Sequence, residues 1–169
     1  IPTKAGILWE KLKDSCFRRN DKTIKMNLKI HRENSKNADF INLVKELDAY
    51  LKITDGEEHS FYNQFNHIDV LKHVVVAYLD KQAIGCGAIK HFDPNTMEIK
   101  RMYVVPTFRG LDVAIKVIRS LENWAKELGY KKCILETGKR QIEAVKFYHK
   151  CNYKVIPNYG QYKQMENSI

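Results

Sequence analysis

Residues 97–114 read MEIKRMYVVPTFRGLDVA, and the fold can be inferred outward from this stretch. Its first half alternates like a β-strand, which Pro106 ends because proline has no backbone N–H to donate to a sheet. A short basic loop with one glycine, Gly110, follows, and a helical pattern starts at Val113. The N-terminus of such a helix has unpaired N–H groups and the positive end of the helix dipole, which suit a phosphate group. The same pattern also fits a strand-to-helix turn that binds nothing.

The segments on both sides alternate between strand and helix patterns. Period-two and β-branched runs predict strands at 28–30, 73–79, 83–92, 97–105, 132–137 and 153–156, and a further stretch at 162–166 fits a last strand. Apolar residues at three- to four-residue spacing predict helices at 40–51, 57–65, 113–128 and 142–150. This order predicts a mixed α/β (α+β) fold, in which a central, mostly antiparallel, twisted sheet carries helices on both faces.

Four residues indicate where these elements begin and end. Asn37 or Ser35 is placed to cap the helix at 40–51. Gly129 is expected to end the helix at 113–128. Asn152 follows the helix at 142–150, where a left-handed residue is wanted, and asparagine tolerates that conformation.

Composition predicts one globular domain. The chain has 169 residues, of which 44% are hydrophobic and 29% charged. No apolar run approaches the roughly 20 residues of a membrane-spanning helix, so a membrane partner is not expected, and the first residues lack the pattern of a secretory signal. The four cysteines are widely spaced and match no metal-binding motif, so we expect no metal and a reducing, cytoplasmic location.

Residues 1–25 differ from the rest of the chain. They carry seven basic and three acidic side chains, so they contribute much of the net charge of +9. Ile7, Leu8, Leu12 and Cys16 fit one face of a short amphipathic helix. The sequence from Met26 onwards resembles the N-terminal start of a protein domain. We therefore expect residues 1–25 to be a leader, either an upstream extension or not native, and residues 26–169 to form a single domain.

The positive charge alone is compatible with binding either nucleic acid or a phosphorylated cofactor. The sequence shows no interleaved basic and aromatic platform and no helix-turn-helix pattern, which argues against a nucleic-acid partner.

Two segments resemble the signatures of a known family, the GCN5-related N-acetyltransferases (GNAT). Residues 104–114 read VVPTFRGLDVA, which is similar to the family's acetyl-CoA signature. Residues 141–153 read QIEAVKFYHKCNY, which is similar to its second signature, Asn-x-x-Ala-x-x-x-Tyr followed by a turn and an aromatic residue. The order of elements matches over roughly residues 26–166. The segments 98–103, 135–138 and 157–162 resemble uncharacterised bacterial-type members and imply no substrate.

The resemblance implies the GNAT acyl-CoA N-acyltransferase fold and acetyl-CoA as co-substrate. Backbone amides near Tyr103 and Val104 would align the pantetheine arm like an added strand. The N–H groups of the loop and first helical turn would hold the pyrophosphate; these residues are Arg109, Gly110, Leu111, Asp112, Val113 and Ala114. Gln141 stands where the family more often has Asn and would hydrogen-bond the cofactor, or else is a solvated helix residue.

The resemblance also implies two catalytic side chains. Tyr148 would protonate the departing thiolate; its alternative is a tyrosine that packs against the sheet. Glu98 would accept the proton of an ammonium group, directly or through water; its alternative is a strand glutamate paired with Lys100 or Lys90. The implied reaction is direct transfer of the acetyl group to a primary amine of a small molecule or peptide, without a covalent enzyme intermediate.

Asp112 departs from the family pattern, which has a central glycine at this position of the phosphate loop. Its side chain would crowd the pyrophosphate, and its negative charge would oppose it. An aspartate in the first turn of a helix is nevertheless favourable for the helix. The departure keeps open an alternative function, a non-catalytic GNAT-like ligand-binding or regulatory module with an impaired CoA site.

The acceptor side is weakly marked, and a homodimer is one assembly that the sequence allows. Four side chains are candidates for binding the acceptor: His59, Tyr62, Arg101 and Tyr159. His59 could act as a second base or be a surface histidine. Arg101 could clamp a carboxylate or take part in a cross-strand charge pair.

The proposed domain boundary gives a direct test. Deletion of residues 1–25 should leave the thermal unfolding midpoint and the acetyl-transfer rate unchanged, because the domain is expected to begin near Met26. Loss of either property would place the deleted residues within the domain.

Overall fold

The structure, a computed structural model, describes residues 5–9, 27–56, 67–166 and 168. The described strands are β1 Ala5–Trp9, β2 Leu28–Glu33, β3 His73–Leu79, β4 Gln82–Asp93, β5 Thr96–Val104, β6 Lys132–Leu135 and β7 Tyr153–Pro157. The described α-helices are α1 Ala38–Asp55, α2 Val113–Glu127 and α3 Ile142–Lys150. Short 3₁₀ helices cover Pro106–Phe108 and Gly160–Tyr162.

The strands form one mixed sheet in the order β2-β3-β4-β5-β6-β1-β7. Neighbouring strands are antiparallel except for β5 and β6, which are parallel. The α1 helix packs its apolar face, which includes Phe40 and Leu43, against one side of the sheet. The α2 helix packs Val117 and Leu121 against the other side. The predicted fold class, a mostly antiparallel sheet with helices on both faces, is confirmed.

The predicted element ends are confirmed as well. Asn37, rather than Ser35, is the N-cap of α1, and its side chain accepts a hydrogen bond from the backbone N–H of Phe40 at 2.9 Å. Gly129 follows α2 with a φ of +90°, and Asn152 follows α3 with a φ of +67°. Both are left-handed conformations, which glycine and asparagine adopt at lower cost than other residues.

Three local predictions need correction. Ile7 and Leu8 lie in β1, which pairs with both β6 and β7, so a helix through them is wrong. The reason is that pairing with two strands distant in sequence overrides a short local pattern. The stretch at 162–166 is not a strand, because a 3₁₀ helix and turns occupy 160–166. The strand predicted at 132–137 ends at Leu135.

Some predictions lie outside the described residues or stay untested. The helix at 57–65, together with Leu12 and Cys16, falls outside the described residues. The domain boundary near Met26 stays a prediction, and the pairing of β1 within the sheet makes the deletion of residues 1–25 an informative experiment.

The strand β5 is irregular on both of its edges: it separates from β6, and it has a bulge opposite β4. On one side β5 pairs with β6 only as far as Ile99 and Leu135, whereas on the other side it stays paired with β4 up to Val104. Between the pairs Ala88–Lys100 and Cys86–Tyr103 the register shifts, so β5 has a bulge at Arg101 and Met102 opposite one residue of β4. The sheet is therefore split between β5 and β6 beyond Ile99.

Glycine is required on β4 opposite this bulge. A Cβ atom added to Gly87 would lie 2.6 Å from Met102 Sδ and 2.8 Å from Leu121 Cδ1. Since carbon and sulfur atoms do not approach so closely, a side chain at this position would displace Met102. Gly87 thus gives Met102 the space in which the bulge holds it.

A half-buried carboxyl group connects α2 to β7. The Tyr153 hydroxyl donates a hydrogen bond to Glu122 Oε1 at 2.8 Å. Burial raises the pKa of Glu122 from 4.5 to about 7, although the hydrogen bond from Tyr153 and the charge of Arg119 act in the opposite direction. The folded protein therefore binds this proton more tightly than the unfolded chain does.

This shift predicts a pH-dependent stability. A folded pKa above the unfolded value gives stability that is fully present below about pH 4.5 and is lost as pH rises through about 7. Glu122→Gln should remove this dependence and raise the free energy of unfolding at pH 8 by up to about 3 kcal/mol. Denaturant unfolding of both proteins at pH 5 and pH 8 measures it.

Glu127→Gln is the matched control, because Glu127 lies on the same helix, is exposed and has its pKa lowered by its hydrogen bond from Arg32. It should show no gain in stability at pH 8. An equal pH dependence in the parent and in Glu122→Gln would contradict the prediction.

Candidate active site

A cleft of about 330 Å³ lies where β5 has left β6, between the end of β5, the following loop, the start of α2, and α3. Its lining comprises Leu47, Tyr50, Met102, Tyr103, Val104, Arg109, Gly110, Asp112, Val113, Ala114, Ile115, Gln141, Glu143, Ala144, Phe147, Tyr148 and Lys150. The residues predicted to bind the cofactor are therefore brought together, with one exception. Leu111 is absent from this lining, and 39% of its surface is exposed.

The loop before α2 has a left-handed backbone at its glycine. Gly110 has a φ of +80°, and an added Cβ would meet no atom within 4 Å. The left-handed backbone, rather than lack of space, therefore favours glycine there. The backbone N–H of Lys116 donates to the Asp112 carbonyl at 3.1 Å, which is the first hydrogen bond of α2. Residues 112–115, whose N–H groups have no partner within the helix, line the cleft.

Asp112 is the N-cap residue of α2 and is itself left-handed, with φ +59° and ψ +15°. Its side chain makes no capping hydrogen bond. Asp112 therefore lies just before the first turn of α2, and its favourable interaction with the helix dipole stays a prediction. What Asp112 adds to the cleft is a carboxylate at a backbone conformation that glycine adopts more readily.

Arg109 is held by contacts to three elements around the cleft. Its Nε donates to the Val104 carbonyl at 3.2 Å, and its Nη1 lies 3.6 Å from Glu143 Oε2 on α3. Its guanidinium also lies 5.5 Å from the centre of the Tyr50 ring on α1. These contacts fix a positive charge at the mouth of the cleft, where acidic Asp112 and Glu143 partly offset it.

A second, smaller pocket of about 90 Å³ adjoins the cleft. The two share Leu47, Met102, Gln141 and Tyr148, so these side chains form the wall between them. Tyr148 is 7% exposed and packs edge-on against Phe147, with ring centres 5.3 Å apart. Burial raises the pKa of Tyr148 above its ordinary value of 10, so the phenol stays protonated at neutral pH and is able to donate a proton.

Gln141, the other predicted polar residue of this wall, directly precedes α3. Its Oε1 accepts a hydrogen bond from Thr137 Oγ1 at 3.3 Å. The side chain is half-buried and borders both spaces, which differs from the alternative of a fully solvated helix residue.

Glu98 lies in the smaller pocket and is 6% exposed. Its Oε1 accepts a hydrogen bond from the Tyr159 hydroxyl at 3.1 Å and lies 3.5 Å from Lys100 Nζ. Lys100 Nζ also donates to the Tyr162 hydroxyl at 3.1 Å. The pairing with Lys100 that formed the alternative to a catalytic role is thus present, whereas Lys90, opposite Glu98 on β4, is exposed.

The structure places two of the four predicted acceptor residues, Arg101 and Tyr159, and does not describe the other two. Arg101 lines the smaller pocket and pairs with Asp48 of α1, not across the strands. Tyr159 contacts Glu98 but is absent from the pocket lining, and burial raises its pKa. His59 and Tyr62 lie outside the described residues. Among the residues that are described, no group of three or more His, Cys, Asp or Glu side chains is placed to hold a metal ion.

Sequence reasoning gave no role to Tyr162, Glu136 or Thr137, which also line the smaller pocket. Lys100 was considered only as a partner of Glu98. Because side chains two apart in a strand share a face, the spacing of Glu98 and Lys100 was the signal that placed Lys100 in the pocket. Tyr162 gave no such signal, since its position depends on a 3₁₀ turn far from β5 in sequence.

Comparison with known proteins agrees with this geometry. The profile of the Acetyltransferase (GNAT) family matches residues 40–153, and the chain belongs to this family. An IAA acetyltransferase from Azospirillum brasilense is 29% identical over 144 residues, which are 80% of this chain and 90% of that protein. The resemblance inferred from the two signatures is confirmed, and the chain is an acetyl-CoA-dependent acyltransferase.

Solved structures share the fold. A Klebsiella pneumoniae protein described as an acyl-CoA N-acyltransferase aligns with a TM-score of 0.70 and 25% identity, over 84% of this chain and 93% of its own. A GNAT acetyltransferase from Elizabethkingia anophelis, solved with acetyl-CoA bound, aligns with a TM-score of 0.56 and 22% identity over 74% of each chain. Within the described residues, no helix has both the length and the apolar character to cross a membrane.

The position of Asp112 predicts how the cofactor's affinity depends on it. Asp112→Asn removes the charge but keeps a residue that tolerates the left-handed backbone, and Asp112→Gly also removes the side chain. We expect Asp112→Asn to lower the Kd for acetyl-CoA about fivefold to tenfold, which corresponds to the roughly 1 kcal/mol of a nearby like charge in water-like surroundings. Calorimetric titration of acetyl-CoA measures it.

The pair of variants separates charge from bulk. Asp112→Gly should bind at least as tightly as Asp112→Asn, and a further gain over Asn would measure the steric part. Equal Kd values for the parent and both variants would contradict an unfavourable effect of Asp112 on the phosphate site.

Proposed function

We propose that this chain transfers the acetyl group of acetyl-CoA to a primary amine of a small molecule or peptide by direct attack. The main support is the arrangement around Tyr148. This buried phenol borders the large cleft, which contains the residues expected to bind the cofactor, and the small pocket, which contains Glu98. A proton donor between a cofactor cleft and an acidic pocket is suited to acyl transfer to an amine.

The acceptor loses its proton in the smaller pocket. Glu98, or a water that it orders, takes the proton of the acceptor ammonium. Tyr159 and Lys100 hold the carboxylate by the contacts described above, which fixes its direction. The neutral amine then attacks the thioester carbonyl carbon, and the new C–N bond forms without a covalent enzyme intermediate.

The carbonyl and the leaving group lie on the cleft side in this proposal. A backbone N–H of residues 102–104, where β5 has left β6, polarises the carbonyl oxygen as charge develops on it. When the C–S bond breaks, Tyr148 gives its proton to the thiolate of CoA. The second proton that the amine nitrogen loses restores Tyr148, so the products are an N-acetyl amine, CoA and one released proton.

The second candidate function is a ligand-binding or regulatory module without transfer activity. The left-handed Asp112 carboxylate beside the start of α2 favours it, as does the engagement of Arg109 by Val104 and Glu143. In that case acetyl-CoA would bind weakly until Asp112 is replaced, and no amine would be acetylated. Micromolar binding of acetyl-CoA to the parent would favour the enzyme, and binding detected only after replacement of Asp112 would favour this module.

Replacement of Tyr148 tests the proposed transfer. Tyr148→Phe keeps the ring that packs against Phe147 but removes the proton donor, so kcat should fall by about 100-fold. The Kd for acetyl-CoA should change little, because the cleft keeps its shape. Release of CoA, followed with a thiol reagent and a panel of primary amines, measures kcat, and calorimetry measures the Kd.

Tyr130→Phe is the matched control. Its hydroxyl lies 2.9 Å from His91 Nδ1, and neither space near the active site includes it. This variant should keep its full rate. An unchanged kcat in Tyr148→Phe would exclude Tyr148 as the proton donor.

A further inference from the structure

The smaller pocket contains an arginine whose burial and backbone are unusual. Arg101 lies at the β5 bulge with a φ of +58°, a left-handed conformation that is uncommon for residues other than glycine and asparagine. Only 3% of its side chain is exposed, although it carries a full charge. A buried charge on a strained backbone needs specific partners, and where such strain persists it often marks a binding site.

Within the part of the chain that the structure describes, only some of the N–H donors of this guanidinium have partners. Its Nη2 donates to Asp48 Oδ1 on α1. Its Nε is buried and has no hydrogen-bond partner among the described residues. The guanidinium group has five N–H donors in one plane and matches carboxylates in geometry and charge. Because Arg101 also lines the smaller pocket, this unpaired Nε–H is the donor that we assign to a ligand oxygen.

The pocket around Arg101 contains charges of both signs. Lys100 and Arg101 are its basic lining residues, and Glu98 and Glu136 are its acidic ones. A diamine would bring a second positive charge close to Lys100 and Arg101. An amine that also carries a carboxylate matches both groups, with its nitrogen towards Glu98 and its carboxylate towards Arg101.

We infer that the acceptor is a small amino acid or similar amine whose carboxylate binds the Arg101 Nε–H. This inference rests on the proposed acetyl transfer to an amine and adds the class of acceptor. Asp48 holds the guanidinium in place, so the donor is oriented before the acceptor binds. The pocket, at about 90 Å³, is small beside the cofactor cleft and suits a short acceptor.

The test compares matched acceptors. Glycine, β-alanine and 4-aminobutyrate are each assayed beside the corresponding amide, and n-butylamine serves as the amine that has neither a carboxylate nor a carboxamide. Each pair has the same chain length, the rates are compared per free amine at the assay pH, and the series covers three spacings. For at least one spacing, kcat/KM should be tenfold or more higher for the carboxylate, chiefly through KM.

Arg101→Lys tests the residue itself. Lysine keeps a positive charge beside Asp48 but lacks the planar Nε–H donor, so the carboxylate-to-amide ratio should fall close to one. Arg32→Lys is the matched control, because Arg32 also pairs with a helix carboxylate, that of Glu127, but lies outside the pocket. It should leave the ratio unchanged.

The outcomes separate the two proposals. Acetylation of amides and n-butylamine without preference for any carboxylate would overturn the inference about Arg101 and leave the proposed transfer intact. An equal loss for carboxylates and amides in Arg101→Lys would make Arg101 only an anchor for α1 and overturn the inference. Acetylation of none of these amines would overturn the inference about Arg101, whereas the wider panel of primary amines used with Tyr148→Phe tests the transfer itself.

Discussion

The parallel pairing between β5 and β6 ends at Ile99 and Leu135, and the geometry of the active site depends on that separation. On its other edge β5 stays bonded to β4 as far as Val104, so the strand remains rigid while one side of its backbone faces an open cleft. Unpaired backbone groups in a cleft need partners. The family signature and the large cleft both point to the pantetheine arm of acetyl-CoA as that partner, which would add to the sheet as a strand does.

The bulge and Gly87 connect this separation to the side chains of the site. An extra residue in β5 changes which face each later side chain occupies, so Met102 reaches the wall between the two spaces while Arg101 turns into the smaller pocket. The close approach of Met102 to β4 is possible only because Gly87 has no Cβ. Backbone irregularity in β5 is therefore what allows one strand to supply residues to both the larger cleft and the smaller pocket.

Local patterns predicted what local physics determines. The strand that ends at Pro106, the asparagine cap of α1 and the left-handed Asn152 all follow from a few neighbouring residues. The residues predicted to bind the cofactor share one cleft because most of them lie within the single stretch 103–114. The pairing of β1 with β6 and β7, and the contacts of Glu98 with Tyr159 and of Arg101 with Asp48, join residues that are distant in sequence. No spacing rule reaches so far, so these contacts were not predicted or were assigned to the wrong partner.

Asp112 shows that the shape of a phosphate loop and its charge are separate properties. Aspartate and asparagine tolerate the left-handed conformation better than other residues with a Cβ, since their short polar side chains make local hydrogen bonds. The loop therefore keeps the course of a glycine loop and still directs the start of α2 towards the cleft. What differs is the side chain, because a carboxylate now lies beside the N–H groups of that helix. Salt screens the repulsion between like charges at an exposed site, and Asp112 is exposed. The unfavourable effect of Asp112 on cofactor binding should therefore weaken as the ionic strength rises.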